Sequence, residues 1–143
     1  MRGSWCRGLL GFGVTLLVGA VAVGCAQPQA DAESLRASFA ERIASSDFVD
    51  GFSSDRDELS FAGPDGNGGT ATWSVRIETA VVEPNEFDET SPYQGRVVSE
   101  WRKDGEIVEY LGTMTALPMA FLDRGLAQEC WAYWIETEHR WDW

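Results

Sequence analysis

One histidine, one lysine and three cysteines are all that this 143-residue chain holds of those types, and each scarcity closes a route. A closed zinc site normally draws four ligands from His and Cys. Here the single imidazole, His139, stands near Glu136, Glu138 and Asp142. If that segment is a strand, the even-numbered carboxylates and the imidazole diverge to opposite faces, so we expect no metal. The chain contains no GxGxxG, phosphate loop or nucleophile elbow, and we expect no cofactor. Positive charge is also short: 11 Lys and Arg against 23 Asp and Glu, ten of the eleven being Arg. A surface of net charge −12 repels phosphate backbones and anionic headgroups, which argues against nucleic acid as a partner. The Arg bias reads as genome composition. No internal repeat or low-complexity tract is present, and the length suits one domain.

What the chain does have begins at its N-terminus. Arg2 and Arg7 precede the uncharged run 8–24, rich in Leu and Val. A charged segment followed by an apolar one reads as a targeting signal, a little short of the roughly 20 residues that span a bilayer easily. Ala22, Val23, Gly24 and Cys25 follow, and this tetrapeptide resembles the bacterial lipobox, with Ala22 where that family most often has Leu. The resemblance implies cleavage before Cys25, a diacylglyceryl thioether on its sulfur and acylation of the new amino terminus. Two or three acyl chains hold a protein stably where one does not. The expected organisation is a signal peptide over 1–24, a tether over 25–30 (Cys25, then AQPQA) and a single domain over 31–143. The expected address is the extracytoplasmic face of a membrane, the partner there being the bilayer itself. The mature chain would carry nine basic against 23 acidic side chains, a net charge near −14. Cys6 leaves with the signal and Cys25 is lipidated, so Cys130 stands alone and no internal disulfide forms. Its neighbours Gln128, Glu129 and Trp131 supply no cation to activate a thiol, and we read it as buried and inert.

Past the tether, Asp31 is placed to cap a helix, and Leu35, Phe39 and Ile43 recur at four-residue spacing, which predicts one amphipathic helix over about 32–48. Gly51 ends the pattern, and 53–57 reads as a polar connector. Beyond it the period becomes two. Leu59 and Phe61 make a short strand, and the GPDGNGG segment 63–69 a turn. Ala71, Trp73, Val75, Ile77 and Val81 mark the clearest half-buried strand. Segment 84–92, with two prolines and three acids, breaks it. Tyr93, Val97 and Trp101 resume alternation up to the Asp104-Gly105 turn, and 107–115 should pair back. Pro118 predicts a bend, 123–125 a turn, and a last strand starts at Leu126. In that strand Trp131, Tyr133 and Ile135 share one face, a parity that Trp141 and Trp143 continue, while Trp134 lies opposite with Cys130 and Ala132. The expected fold class is α+β: one N-terminal helix packed on a curved antiparallel sheet of four to five strands. This element order is similar to cystatin-like and nuclear-transport-factor-2-like folds, in which a coiled sheet cups a helix. The second family carries three helices before its sheet and this chain only one.

Aromatic side chains are the remaining resource, six of the seven Trp lying beyond the signal. Most belong in the core of a small domain without disulfides. Trp134, Trp141 and Trp143 are the candidates for a ligand-binding platform. Asp65 and Asn67 match a calcium loop only faintly, and Glu83, Glu86, Asp88 and Glu89 around Phe87 read as a solvated loop. The expectation is a non-catalytic binding module for a protein partner or small ligand. The rivals are an enzyme with a buried carboxylate base, for which Glu109 is the nearest candidate, and an assembly protein that accepts a strand at its sheet edge.

Overall fold

The computed structural model describes residues 27–111, 114–115 and 117–143. The segment 1–24 expected to be a signal, and Cys25, lie outside the described residues. Helix α1 (Ala32–Ala44) starts where the sequence places it, because Asp31 closes a capping box. The Ser34 amide donates to Asp31 Oδ1 at 2.8 Å, and the Asp31 amide donates back to Ser34 Oγ at 3.3 Å, satisfying donors that a helix start otherwise leaves open. Leu35, Phe39 and Ile43 are fully buried. The helix stops at Ser45, short of the expected Phe48, whose ring instead meets Phe121 edge-on at 5.1 Å.

The sheet is antiparallel and curled, with seven strands rather than four to five. They are β1 (Asp50–Asp55), β2 (Glu58–Pro64), β3 (Thr70–Pro84), β4 (Tyr93–Lys103), β5 (Glu106–Ile107), and, after β6 (Tyr110–Leu111), β7 (Met114–Thr115) and the short helix α2 (Met119–Asp123), β8 (Glu129–Ile135) and β9 (Arg140–Asp142). The order is β1-β2-β3-β4-β8-β9, with β5 also on β4; β6 and β7 pair only with each other. Two strands escaped the sequence pattern for identifiable reasons. Strand β1 is the polar stretch read as a connector; as an edge strand it has little to bury and shows no period-two signal. Strand β9 follows a turn over Glu136–His139, which resets the parity expected to run unbroken from Trp131 to Trp143.

Two further departures have local causes. A β-bulge between Ile77 and Thr79 adds a residue to β3 and reverses its facing, so Ala80 and Val82 pack on the core and Val81, paired with Arg96, turns outward. Bulges also increase twist, which helps the 15-residue β3 wrap the helix. Pro118 opens helix α2 instead of bending a strand: it has no N–H to leave unsatisfied at a helix start.

The helix lies in the concave face against β3, β4 and β9. Beneath its first turns the sheet presents the smallest available pair, Gly95 opposite Ala132. At the other end the space is filled by Phe61, Trp73, Trp101 and Phe121, whose rings meet mostly edge-on with centroids 5.0–6.2 Å apart, the spacing that aromatic quadrupoles favour. The C-terminal strand is tied to the helix: Trp141 Nε1 donates to Ser34 Oγ at 3.0 Å and Trp143 Nε1 to Ser38 Oγ at 2.9 Å. Ser34→Ala therefore removes half of a capping box and strands an indole N–H. A loss of about 1–2 kcal/mol is expected, read as a lower urea midpoint with an unchanged slope.

Candidate functional site

The inward face is filled, so candidate surfaces lie on the outer face and in the loops. Along β8 burial alternates strictly: Cys130, Ala132 and Trp134 point inward, while Glu129, Trp131 and Tyr133 are exposed. Trp131 and Tyr133 keep 46% and 45% of their surface in water, unusual for rings of that size. Spaced two residues apart on one strand, they stand roughly 7 Å from each other. Pairing extends this strip sideways into two rows, Glu83, Gln94, Tyr133 and Asp142 in one and Val81, Arg96 and Trp131 in the next. The Arg96 guanidinium carbon lies 5.8 Å from the centre of the Trp131 ring, within the range of a cation–π contact. Arg96 also pairs with Glu129 at 3.7 Å, and Arg140 bridges Glu138 and Asp142. These exposed ion pairs contribute little stability, but they give each arginine bordering the aromatic strip a carboxylate partner.

The residues singled out from sequence fall elsewhere. Trp134 and Trp141 are core side chains, 2% and 5% exposed, facing each other across β8 and β9 at 5.3 Å. Trp134 Nε1 donates to Glu136 at 2.8 Å. Trp143 is half-buried against Phe39. On β8 the bare aromatics are thus Trp131 and Tyr133. Strand parity had already placed them on a common face; which face the helix covers follows only from the sheet order.

His139 occupies the β8–β9 turn in the left-handed region, φ 49°, its ring 6.3 Å from that of Trp134. Among the described residues no three His, Cys, Asp or Glu side chains are grouped to hold a metal. In the 63–69 loop Asp65 Oδ1 accepts the amides of Asn67 at 2.7 Å and Gly69 at 2.9 Å. Those bonds hold its carboxyl below the usual range and commit it to the turn, where Gly66 and Gly68 supply positive φ. Glu109 is exposed and lines an open groove of about 510 Å³ with Glu78, Glu100 and Glu129. Three of these acids already have cationic partners: Glu78 and Glu100 share Arg76, Glu100 also meets Arg102, and Glu129 meets Arg96.

Cys130 is buried, its sulfur 3.2 Å from both the amide and the carbonyl of Ala127. Burial pushes the thiol up to about 11, only partly offset by the Ala127 amide. At pH 8 the thiolate that reacts with electrophiles is therefore scarce. Native protein is expected to resist iodoacetamide at that pH and to label at Cys130 only once urea opens the fold, as peptide mass spectrometry would show.

Fold and surface together define a small α+β domain: a helix held in a curled antiparallel sheet, with an exposed aromatic strip on the sheet's outer side. No protein-family model, curated protein or solved structure matches the chain. Among the described residues no helix is long and apolar enough to cross a membrane.

Proposed function

We propose that the chain is an extracytoplasmic lipoprotein, anchored through Cys25, whose domain is a non-catalytic binding module that docks a protein partner on the outer face of its sheet. The observation that carries the binding reading is the half-exposure of Trp131 and Tyr133 beside Val81 and Arg96. Interface centres are rich in Trp, Tyr and Arg, and two aromatics together on an open face suit a protein surface. The helix fills the concave side, where a small-molecule pocket would otherwise form. The anchor rests on the lipobox-like Ala22–Cys25 and the preceding charged and apolar segments.

Two measurements test the two halves. Intact-mass analysis of membrane-derived protein is expected to show a chain starting at an acylated Cys25; an unmodified sulfur overturns the anchor. A photo-crosslinking residue at position 133 is expected to give a discrete protein adduct in the native membrane. The same residue at position 58, on the same face but three strands away, should not. Trp131→Ser should abolish the adduct while shifting stability by no more than about 0.5 kcal/mol, as exposed substitutions generally do. An adduct indifferent to Trp131 overturns the docking face.

A further inference from the structure

Phe87 is 99% exposed, a large apolar side chain with no intramolecular contact to explain it. It sits in the β3–β4 loop, 85–92, which is closed at its base and braced within: the Asn85 amide donates to Pro92 O at 2.8 Å, the Phe87 amide to Asn85 Oδ1 at 3.3 Å, and the Thr90 amide to Asp88 Oδ1 at 2.9 Å. The ring is thus displayed on a compact support.

Where the loop sits gives the exposure its meaning. Its base is flanked by Tyr93, which shares a groove of about 480 Å³ with Gln27, Pro28, Gln29, Trp134 and His139. The Glu136 amide in the neighbouring turn reaches Thr90 O at 3.4 Å. The loop and the point where the tether joins the domain therefore lie at the same end of the molecule. The tether is short as well. Its chain is fixed from Gln29 onward, because the Gln29 carbonyl accepts the Asp31 amide and the Ser34 hydroxyl. Cys25 stands four residues before Gln29, and four extended residues reach at most about 14 Å.

We propose that Phe87 is a membrane-contacting side chain that enters the headgroup layer of a zwitterionic lipid surface when the chain is anchored through Cys25. This rests on the anchored reading above. An acylated Cys25 sits in the bilayer, so the end carrying Gln29 stays within about 14 Å of it, against a polar layer on each side of the hydrocarbon roughly 5–8 Å thick. Anchoring makes the second contact intramolecular, so a weak apolar insertion suffices. The carboxylates of Glu83, Glu86, Asp88 and Glu89 select the lipid: anionic headgroups repel them, whereas the ethanolamine and choline headgroups, whose ammonium and phosphate charges cancel, do not.

The test uses the lipidated full chain, reconstituted in vesicles of phosphatidylcholine with an equal part of phosphatidylethanolamine. An environment-sensitive fluorophore is attached at E86C, beside Phe87, and separately at E106C, beyond the far end of β4. Cys130 is buried and Cys25 already a thioether, so the introduced thiol is labelled selectively. The expected result is iodide quenching several-fold weaker at position 86 than at 106, and a return to equal quenching when F87S is added to E86C. Replacing the ethanolamine lipid by phosphatidylglycerol should weaken the protection. Equal quenching at the two positions, protection that survives F87S, or protection undiminished in the anionic vesicles overturns the inference. An unmodified Cys25 on intact-mass analysis overturns the anchored reading and this inference with it, whereas an acylated chain with an unprotected position 86 overturns this inference alone.

Discussion

Trp101→Ala is expected to cost about 3–5 kcal/mol, the range for truncating a fully buried aromatic, out of the 5–15 kcal/mol that a domain of this kind ordinarily has. Trp101 has no exposed surface and sits among Phe61, Trp73 and Phe121, with centroids 6.2, 6.0 and 5.4 Å away. Its indole N–H donates to the buried Ser99 hydroxyl at 3.0 Å. Removing the ring leaves three large neighbours facing a void that none can fill without leaving its own rotamer. The urea midpoint should collapse and near-ultraviolet dichroism should weaken before the far-ultraviolet signal does. Trp131→Ala, the same change on the neighbouring strand β8 but at an exposed ring, should leave both nearly unchanged. A similar loss for the two variants would mean that Trp131 is not a surface residue and would remove the basis of the docking face.

The contrast between these two tryptophans marks how far the sequence could be read. Alternation identified β2, β3 and β4, since each buries one face and exposes the other. The four-residue spacing of Leu35, Phe39 and Ile43 with Asp31 ahead of it identified α1 and its start. Strand β8 is apolar on both sides, and nothing local tells which side the helix will cover. Trp134 and Trp131 become core and surface only when β8 pairs with β4 and β9, a choice made by contacts distant in sequence. Strand β1 is invisible for the opposite reason, because an exposed edge strand needs no apolar residue to form. The bulge after Ile77 sends Val81 outward although its number has the inward parity. The candidate site suffers most from this. Its aromatics were legible as a pair, but their exposure was a property of sheet order, and the solvated-loop reading of Phe87 carried no sign that residues 27–29 lie at the same end of the domain.

The acidic character behaves differently, because it depends on composition alone. Its distribution is what the structure adds: on the outer face Arg76, Arg96, Arg102 and Arg140 each meet a carboxylate, whereas Glu83, Glu86, Asp88 and Glu89 gather around the one loop that adjoins the groove lined by Gln27, Pro28 and Gln29. Ion pairs border the aromatic strip, whereas none of these four acids has a cationic partner among the described residues. A protein partner docking on the strip would desolvate paired groups, and long-range repulsion from the loop would act on anionic surfaces instead.

Gly95→Ala should destabilise although every local preference favours it. Glycine inside a strand weakens it and alanine restores a side chain, and the backbone at Gly95 is not in the positive-φ region, so propensity alone predicts a gain. Packing predicts the reverse. A Cβ at this position would lie 2.7 and 2.8 Å from the two methyls of Leu35 and 3.1 Å from Trp141 Cζ3. Leu35 has no exposed surface, so its methyls have nowhere to swing, and α1 itself must rise from the sheet. Overpacking of this kind costs about 1–3 kcal/mol, and Gly95→Val should cost more. The diagnostic is the double variant. Leu35→Ala alone opens a cavity at a cost of about 2–5 kcal/mol, yet it clears the space that the new methyl needs. Gly95→Ala combined with Leu35→Ala should therefore lose less than the two single losses added, with a coupling in the 0.5–3 kcal/mol range for residues in contact, measured from urea unfolding of all four proteins. Strict additivity, or a stabilising Gly95→Ala, would show that the helix does not ride directly on β4. The filled concave face, which moves the candidate binding surface to the outside of the sheet, would then have to be given up.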